Sequence, residues 1–310
     1  MKRLVIVPLF LAAVLIVLTP LNGVTQSSMP KEVGDRLVDI KKCIDYLEKT
    51  GNLIRVKSEV DPNLELAGIA KKYEGKKCIL FEKVKGSAFP VFMGLLWNRE
   101  IVGNLFNVPK EKVPFVLGAA IGAWRKDKAA LQSRILDKGP ANEVILTKDF
   151  NLYDLPAPIH ALKDGGPYFD SSVVIVNDPE TGIPNISIHR IMITGKDRVS
   201  FLIDPGRHLG AYLDIMEKKG QPLEVTINNG IGLAPWLVSA IPGAGPGKTT
   251  IANQIIGRPI DFIKAQTVNV PAFADAQFVI EAEILPKVRN FIALHHSRRG
   301  FLARSFLRRA

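Results

Sequence analysis

Only two cysteines, Cys43 and Cys78, occur in 310 residues, which excludes a disulfide framework and a cysteine-built zinc site. Cys43 falls on the apolar side of an expected helix and Cys78 opens an apolar strand. Both are expected to be buried, inert thiols. Aromatic residues make up only 7% of the chain, and no basic stretch is interleaved with them. The pattern of single-strand nucleic-acid binding is therefore absent. Histidines number five, and two of them form the adjacent pair His295-His296. Adjacent side chains face opposite ways on a strand, so this pair makes no metal clamp. No internal repeat and no charge-rich low-complexity run is present, which argues against a solenoid and against disorder.

What is present is an apolar content of 47%, ample for one large or two medium cores. The net charge of +11 suggests an anionic partner at first sight. Arg298, Arg299, Arg304, Arg308 and Arg309 lie in a carboxy-terminal stretch without one acidic residue. Without them, 36 basic residues face 30 acidic ones and the charge falls to +6, mostly scattered lysine on solvated helix faces. No nucleic-acid partner is expected. Residues 4–18 are apolar after Lys2-Arg3, in the manner of a signal peptide or short anchor. They are short of the ~20 apolar residues of a spanning helix, and Pro8 interrupts them.

The alternation of helical and strand patterns over 29–142 predicts an amino-terminal α/β domain. Helices are expected over 35–49, from Asp61-Pro62, over 101–106 and over 113–131, and strands over 53–56, 79–81 and 91–94. From residue 143 the texture changes to short strands broken by Pro and Gly. Strands are expected at 143–147, 172–176, 186–193, 199–203, 223–227, 260–265 and 277–284, with helices at 209–219 and 235–240. This predicts a β-barrel with inserted helices over 143–288 and an α/β (α+β) class overall. Residues 289–310 are expected to be a disordered basic tail.

The densest chemistry lies between residues 154 and 190. Asp164-Gly165-Gly166-Pro167 and Asp178-Pro179-Glu180-Thr181-Gly182 read as turns around a β-branched run, Ser172 to Val176. In Asn185-Ile186-Ser187-Ile188-His189-Arg190, Ile186, Ile188 and Arg190 alternate with Asn185, Ser187 and His189. Such a strand can line a polar site. Asn185 and His208 are hard-ligand candidates, since an amide oxygen and a neutral imidazole both bind divalent metals. Arg190 is the best candidate for a two-pronged carboxylate contact.

This segment resembles the UbiD-like decarboxylases, in the order DLPxP, DGGxY, DPxTGxxN and a closing Asn-x-Gly/Ser-x-x-Arg. The resemblance runs from about Met29 to Ile284 and includes Arg207-His208-Leu209-Gly210, Ser239-Ala240-Ile241-Pro242 and Phe278-Val279-Ile280-Glu281. It implies a flavin-reductase-like split barrel, prenylated FMN as cofactor and a manganese ion on the flavin phosphate, with potassium as a second candidate ion. Asn185 and His208 would hold the metal. Ser187, Ile188, Arg207, His208, Ser239 and Pro242 would contact the cofactor. Arg190 would clamp the substrate carboxylate and Glu281 would return a proton, the two forming one Arg–Glu network. The reaction implied is reversible non-oxidative decarboxylation of an aromatic or α,β-unsaturated acid. A flavin prenyltransferase would supply the cofactor, and intact members would be homo-oligomers. A start at Met29 implies a cytoplasmic protein, whereas a functional apolar segment implies membrane association or export.

Several departures qualify this expectation. The family's third metal ligand, a Glu, should fall about seven residues past Pro242, where Lys248-Thr249-Thr250 stands instead. Gln277 replaces a family acid, and Ala282 replaces the Gly after Glu281. The family continues through Glu-Gly-Pro-Phe-Gly-Glu into a carboxy-terminal domain, whereas here Val288-Arg289 leads elsewhere. These features imply a truncated chain of impaired turnover, or a non-catalytic remnant. A third reading, a nucleotide-binding phosphate loop at Gly245-Pro246-Gly247-Lys248-Thr249-Thr250, fails the full motif because Pro242 stands where a Gly is needed. Alternatively, Lys248 contacts the flavin phosphate where the family has its metal.

Overall fold

The computed structural model describes residues 29–242, 245–292, 301–303 and 307–308. The apolar stretch 4–18 and the pair His295-His296 lie outside the described residues. Among those described, no helix is long and apolar enough to cross a membrane.

The amino-terminal part runs α1 (Lys31–Val38), α2 (Ile40–Lys49), β1 (Leu53–Val60), α3 (Glu65–Tyr73), β2 (Cys78–Val84), β3 (Val91–Met93), α4 (Arg99–Phe106) and α5 (Val113–Lys126). Local chemistry sets the boundaries. Asp39 separates α1 from α2 and caps α2, its carboxylate accepting from Lys41 N at 2.8 Å. Ile40, Cys43 and Leu47 then fall on one buried face at helical spacing. Asn98 caps α4 in the same way, and left-handed Asn107 ends it. β1 pairs in parallel with β2, and β2 pairs antiparallel with β3. Cys43 and Cys78 are fully buried, and burial pushes both thiols up to about 12, as inert core residues require.

The remainder contains β4 (Arg134–Leu136), β5 (Tyr168–Asn177), β6 (Pro184–Gly195), β7 (Arg198–Phe201), α6 (His208–Lys218), β8 (Leu223–Asn229), α7 (Leu233–Ser239) and α8 (Lys248–Ile256). It continues with β9 (Asp261–Ile263), β10 (Ala272–Phe273), β11 (Phe278–Ile284), β12 (Asn290–Ile292), β13 (Phe301–Ala303) and β14 (Leu307–Arg308). A six-stranded sheet has the order β14-β11-β8-β5-β6-β7, and β14 also lies against β7, so the sheet curls. Its central strand β5 is buried on both faces. Val173 and Ile175 enter a core shared with the helices, while Val174 and Val176 enter the core inside the curl.

One strand expectation needs correction. Residues 143–147 form no strand: Val144, Ile145 and Leu146 are exposed, and nothing pairs with them among the described residues. The stretch from 289 onward contributes three short strands. β12 pairs with β13, and β14 pairs with β11 through Glu283–Arg308 and Ile284–Leu307. The division at 142/143 is not a break in packing. Val33, Leu37 and Ala120 share one core with Ile186, Ile251 and Ile255, and β4 pairs with β9.

Candidate functional site

The site forms where β6 loses a neighbour. β7 pairs with β6 only from Ile191 to Gly195, so 184–190 have an open edge on that side. The chain leaves β7, turns at 204–207 and enters α6 at His208. The turn is held by Asp204, whose carbonyl accepts from Arg207 N and whose carboxylate accepts from Gly206 N. It packs so closely on α6 that a methyl group on Gly210 would lie 2.3 Å from Asp204 O and 2.8 Å from Pro205 Cα. Gly210→Ala should therefore move Arg207 and His208 and destabilise the fold by about 2 kcal/mol, a typical overpacking cost. A urea midpoint equal to that of the parent protein would contradict this.

α8 approaches the same edge from the opposite side. A 3-10 turn at Gly245–Gly247 leads into it, and Gly247 lies against the Trp124 ring, leaving no room for a side chain. Lys248, the first helical residue, is buried. Its Nζ donates to Ile186 O at 3.0 Å and Ser239 O at 3.1 Å. Burial, and then the Arg207 guanidinium, bring this ammonium down to about 8. It has no ion-pair partner among the described residues. His208 Nε2 is 3.8 Å from where a methyl group on Gly245 would stand, so the two helix starts meet. Neither helix has a side-chain cap, which leaves N–H groups of both first turns for other acceptors.

The period of two divides the β6 residues between two faces. Asn185, Ser187 and His189 share the face of Ile191 and Ile193, toward the core inside the curl. Asn185 is buried. Its amide meets the Tyr212 hydroxyl, which also meets Asp178. Burial first, and the Asp178 carboxylate next, push that hydroxyl up to about 12. Asn185 Oδ1 has no hydrogen-bond partner among the described residues, a buried acceptor left for a donor or a cation. Ser187 Oγ lies 2.9 Å from His189 Nε2, and the His189 ring packs edge-on against Phe201. Burial above all, with the Lys248 charge adding to it, brings His189 down to about 4, against a hydrogen bond with the Leu202 backbone.

Ile188 and Arg190 lie on the opposite face with Ile186. Arg190 is exposed and makes no hydrogen bond or ion pair among the described residues. A bulge in β5 sets Asp170 and Ser171 against it, an irregularity that re-aims side chains. Ser239 is buried, but its hydroxyl donates to Trp236 O at 2.6 Å, so its carbonyl serves the site. Pro242 is exposed at the edge of the described loop.

Glu281 stands apart. It shares the face of Arg190, but register runs Glu281–Thr226–Ile175–Ile186, three strand spacings or about 14 Å across the sheet. Its carboxylate accepts from Gln266 N, Thr267 N and Thr267 Oγ1 at 2.6–3.0 Å. The expected Arg190–Glu281 network is therefore not formed in this structure. Sequence reasoning left His189, Tyr212 and Asp178 unassigned. The period-two spacing of His189 from Ser187 and Asn185 was the available signal for the first. Tyr212 meets Asn185, and Asp178 meets Tyr212, only through the fold.

The chain thus has a curled sheet, an open strand edge and two helix starts that gather Arg207, His208 and Lys248 in an αβ fold. Comparison gives the family. Residues 134–291 match the 3-octaprenyl-4-hydroxybenzoate carboxy-lyase Rift-related domain and 44–121 its N-terminal domain, so the chain belongs to the UbiD family. It is 44% identical over 255 residues to a Rhodospirillum rubrum protein described as "Uncharacterized protein in cooM 5'region", covering 81% of this chain and 54% of that one. It is 27% identical to gallate decarboxylase of Lactiplantibacillus plantarum, covering 81% and 55%. An evolved dimeric form of the UbiD-class enzyme HmfF from Pelotomaculum thermopropionicum, in complex with prFMN, superposes with a TM-score of 0.78. That match is at 33% identity over 88% of this chain and 65% of that one. The chain thus spans about half the length of the curated relatives it matches.

Proposed function

We propose that this chain is the cofactor-holding part of a prenylated-FMN-dependent carboxy-lyase acting on an aromatic or α,β-unsaturated carboxylic acid. The observation that carries this reading is the buried, unpaired Lys248 ammonium beside Arg207 and two uncapped helix starts, within the fold of a protein that binds prFMN. The gathered N–H groups and cations fit a flavin phosphate. The curled sheet is read as the split barrel that the family resemblance implies.

The donor set does not fit a divalent metal equally well. Asn185 Oδ1 and His208 are two donors, and no group of three His, Cys, Asp or Glu suited to a metal occurs among the described residues. Prenylated FMN, when bound, supplies an electron sink for the carbon from which carbon dioxide departs. The protein's part is to orient and to handle one proton. Arg190, exposed and unpartnered, is available to hold the substrate carboxylate through two N–H donors. Ser187 and Ile188 would flank the flavin. Glu281 would serve as proton donor only after releasing the 266–267 turn that it now holds, an exchange that substrate binding would have to drive. A homo-oligomer in the cytoplasm, served by a flavin prenyltransferase, belongs to this same reading.

The test is carbon dioxide release from a panel of cinnamic, hydroxybenzoic and heteroaromatic acids, using protein reconstituted with prenylated FMN. Release that requires the cofactor supports the proposal. Flavin-independent release, or none from a stoichiometrically loaded protein, counts against it.

A further inference from the structure

Buried charges in proteins are almost always paired, because an isolated ion loses its hydration without compensation. Lys248 breaks that pattern. The residue is only 7% exposed, and the two partners of its ammonium are the neutral carbonyls of Ile186 and Ser239. An ammonium carries three donors, so one remains after these two bonds. The charge that acts on it is that of another cation, Arg207. An arrangement of this kind lacks its counter-ion within the described chain, and a bound anion would supply it.

The position is as telling as the charge. Lys248 Nζ bonds the residue next to Asn185, whose Oδ1 is buried and unpartnered. It sits at the start of α8, beside the Gly245 turn that faces His208. This is the place where the family resemblance calls for an acidic ligand to a divalent ion. A carboxylate there would attract such an ion, whereas a fixed ammonium repels it and already provides positive charge. Ser239 and Ile186 fix the ammonium from two sides, so it is held in place before any ligand arrives.

We propose that Lys248 is the built-in cation of the flavin-phosphate site, so that this chain binds the phosphate monoester of its flavin without a divalent metal. The inference rests on the flavin reading above. Arg207 and the first-turn N–H groups of α6 and α8 complete the donor set. Asn185 Oδ1 is then left to orient a donor, with Tyr212 holding its amide.

The experiment titrates the purified full chain with FMN, followed by flavin fluorescence, first in EDTA and then in excess Mn2+. Riboflavin and inorganic phosphate serve as separate probes. FMN affinity should agree within about twofold between the two conditions and exceed riboflavin affinity by about tenfold or more, as a charge-assisted phosphate contact implies. Inorganic phosphate should compete with FMN and not with riboflavin. Lys248→Met should erase the preference for FMN over riboflavin. Lys248→Glu should make FMN binding depend on Mn2+, with bound ion visible by electron paramagnetic resonance. FMN binding by the parent that is lost in EDTA and restored by Mn2+ overturns the lysine proposal and leaves the flavin reading intact. Lys248→Met that keeps the full FMN preference overturns it as well. Absence of FMN binding in both conditions sinks the flavin reading and this inference with it. The parent comparison needs no variant to fold, and circular dichroism checks the variants.

Discussion

Replacing Arg190 with alanine is expected to lower decarboxylation by the prenyl-flavin-loaded protein by about 30-fold to several thousand-fold. The range corresponds to the ~2–5 kcal/mol lost when one partner of a close charge pair is removed. The fold should be untouched, because the Arg190 side chain is exposed and bonds nothing among the described residues. It is thus a strand residue whose charge has no structural use here, on an edge that β7 leaves open. The β5 bulge opposite it further frees its direction. Arg190→Lys should recover little, since one ammonium cannot present two parallel donors to a carboxylate. The check is kcat/KM for any accepted acid, alongside FMN affinity. Unchanged turnover in Arg190→Ala would remove the clamp from the mechanism. Lost FMN affinity would move Arg190 from substrate to cofactor.

The second large effect concerns acid stability. His189 is held neutral in the fold, brought down to about 4, whereas in the unfolded chain it titrates near 6.5. Between those values the unfolded chain takes up a proton that the folded protein refuses. Stability is thus fully present above about 6.5 and falls as pH drops toward about 4. The slope approaches ~1.4 kcal/mol per pH unit, for a total on the order of 3 kcal/mol. The groups facing the ring reinforce the direction. Ser187 and Phe201 add no charge, and Lys248 is a cation throughout this window. His160 acts oppositely and at higher pH, since its bond to Asp170 raises it above its usual value and favours the folded form as pH falls through that range. Urea unfolding of the parent and of His189→Gln at pH 7 and pH 4.5 separates these contributions. The parent should lose more stability than the variant. Equal losses would show that His189 is protonated freely within the fold.

Much of this was legible in the sequence because it is local. The turns at 164–167 and 178–182, the strand around Val173 and the alternation on β6 all follow from residue types at fixed spacing. Burial of Cys43 followed from helical spacing. The order of motifs placed Asn185, His208 and Ser239 in one neighbourhood, and the fold brings them to one open edge. What stayed hidden depends on long-range pairing. Residues 143–147 have strand-like residues but no partner, and β propensity is realised only through neighbours on the sheet. Glu281 aligned with a catalytic acid in sequence, yet sheet order sets three strand spacings between it and the Ile186 level of β6, and Gln266 and Thr267 engage its carboxylate. In the sequence Lys248 stands out as a misfit among the expected metal ligands and, alternatively, as a contact to the flavin phosphate. Its burial and its two carbonyl partners, 9 and 62 residues away in sequence, give the misfit a use.

The central claim is that this chain holds a flavin mononucleotide, and native mass spectrometry after co-expression with a flavin prenyltransferase tests it most directly. The predicted result is a chain carrying one prenylated FMN that is retained in EDTA. A chain that emerges flavin-free, or loaded with a nucleoside triphosphate instead, would contradict it.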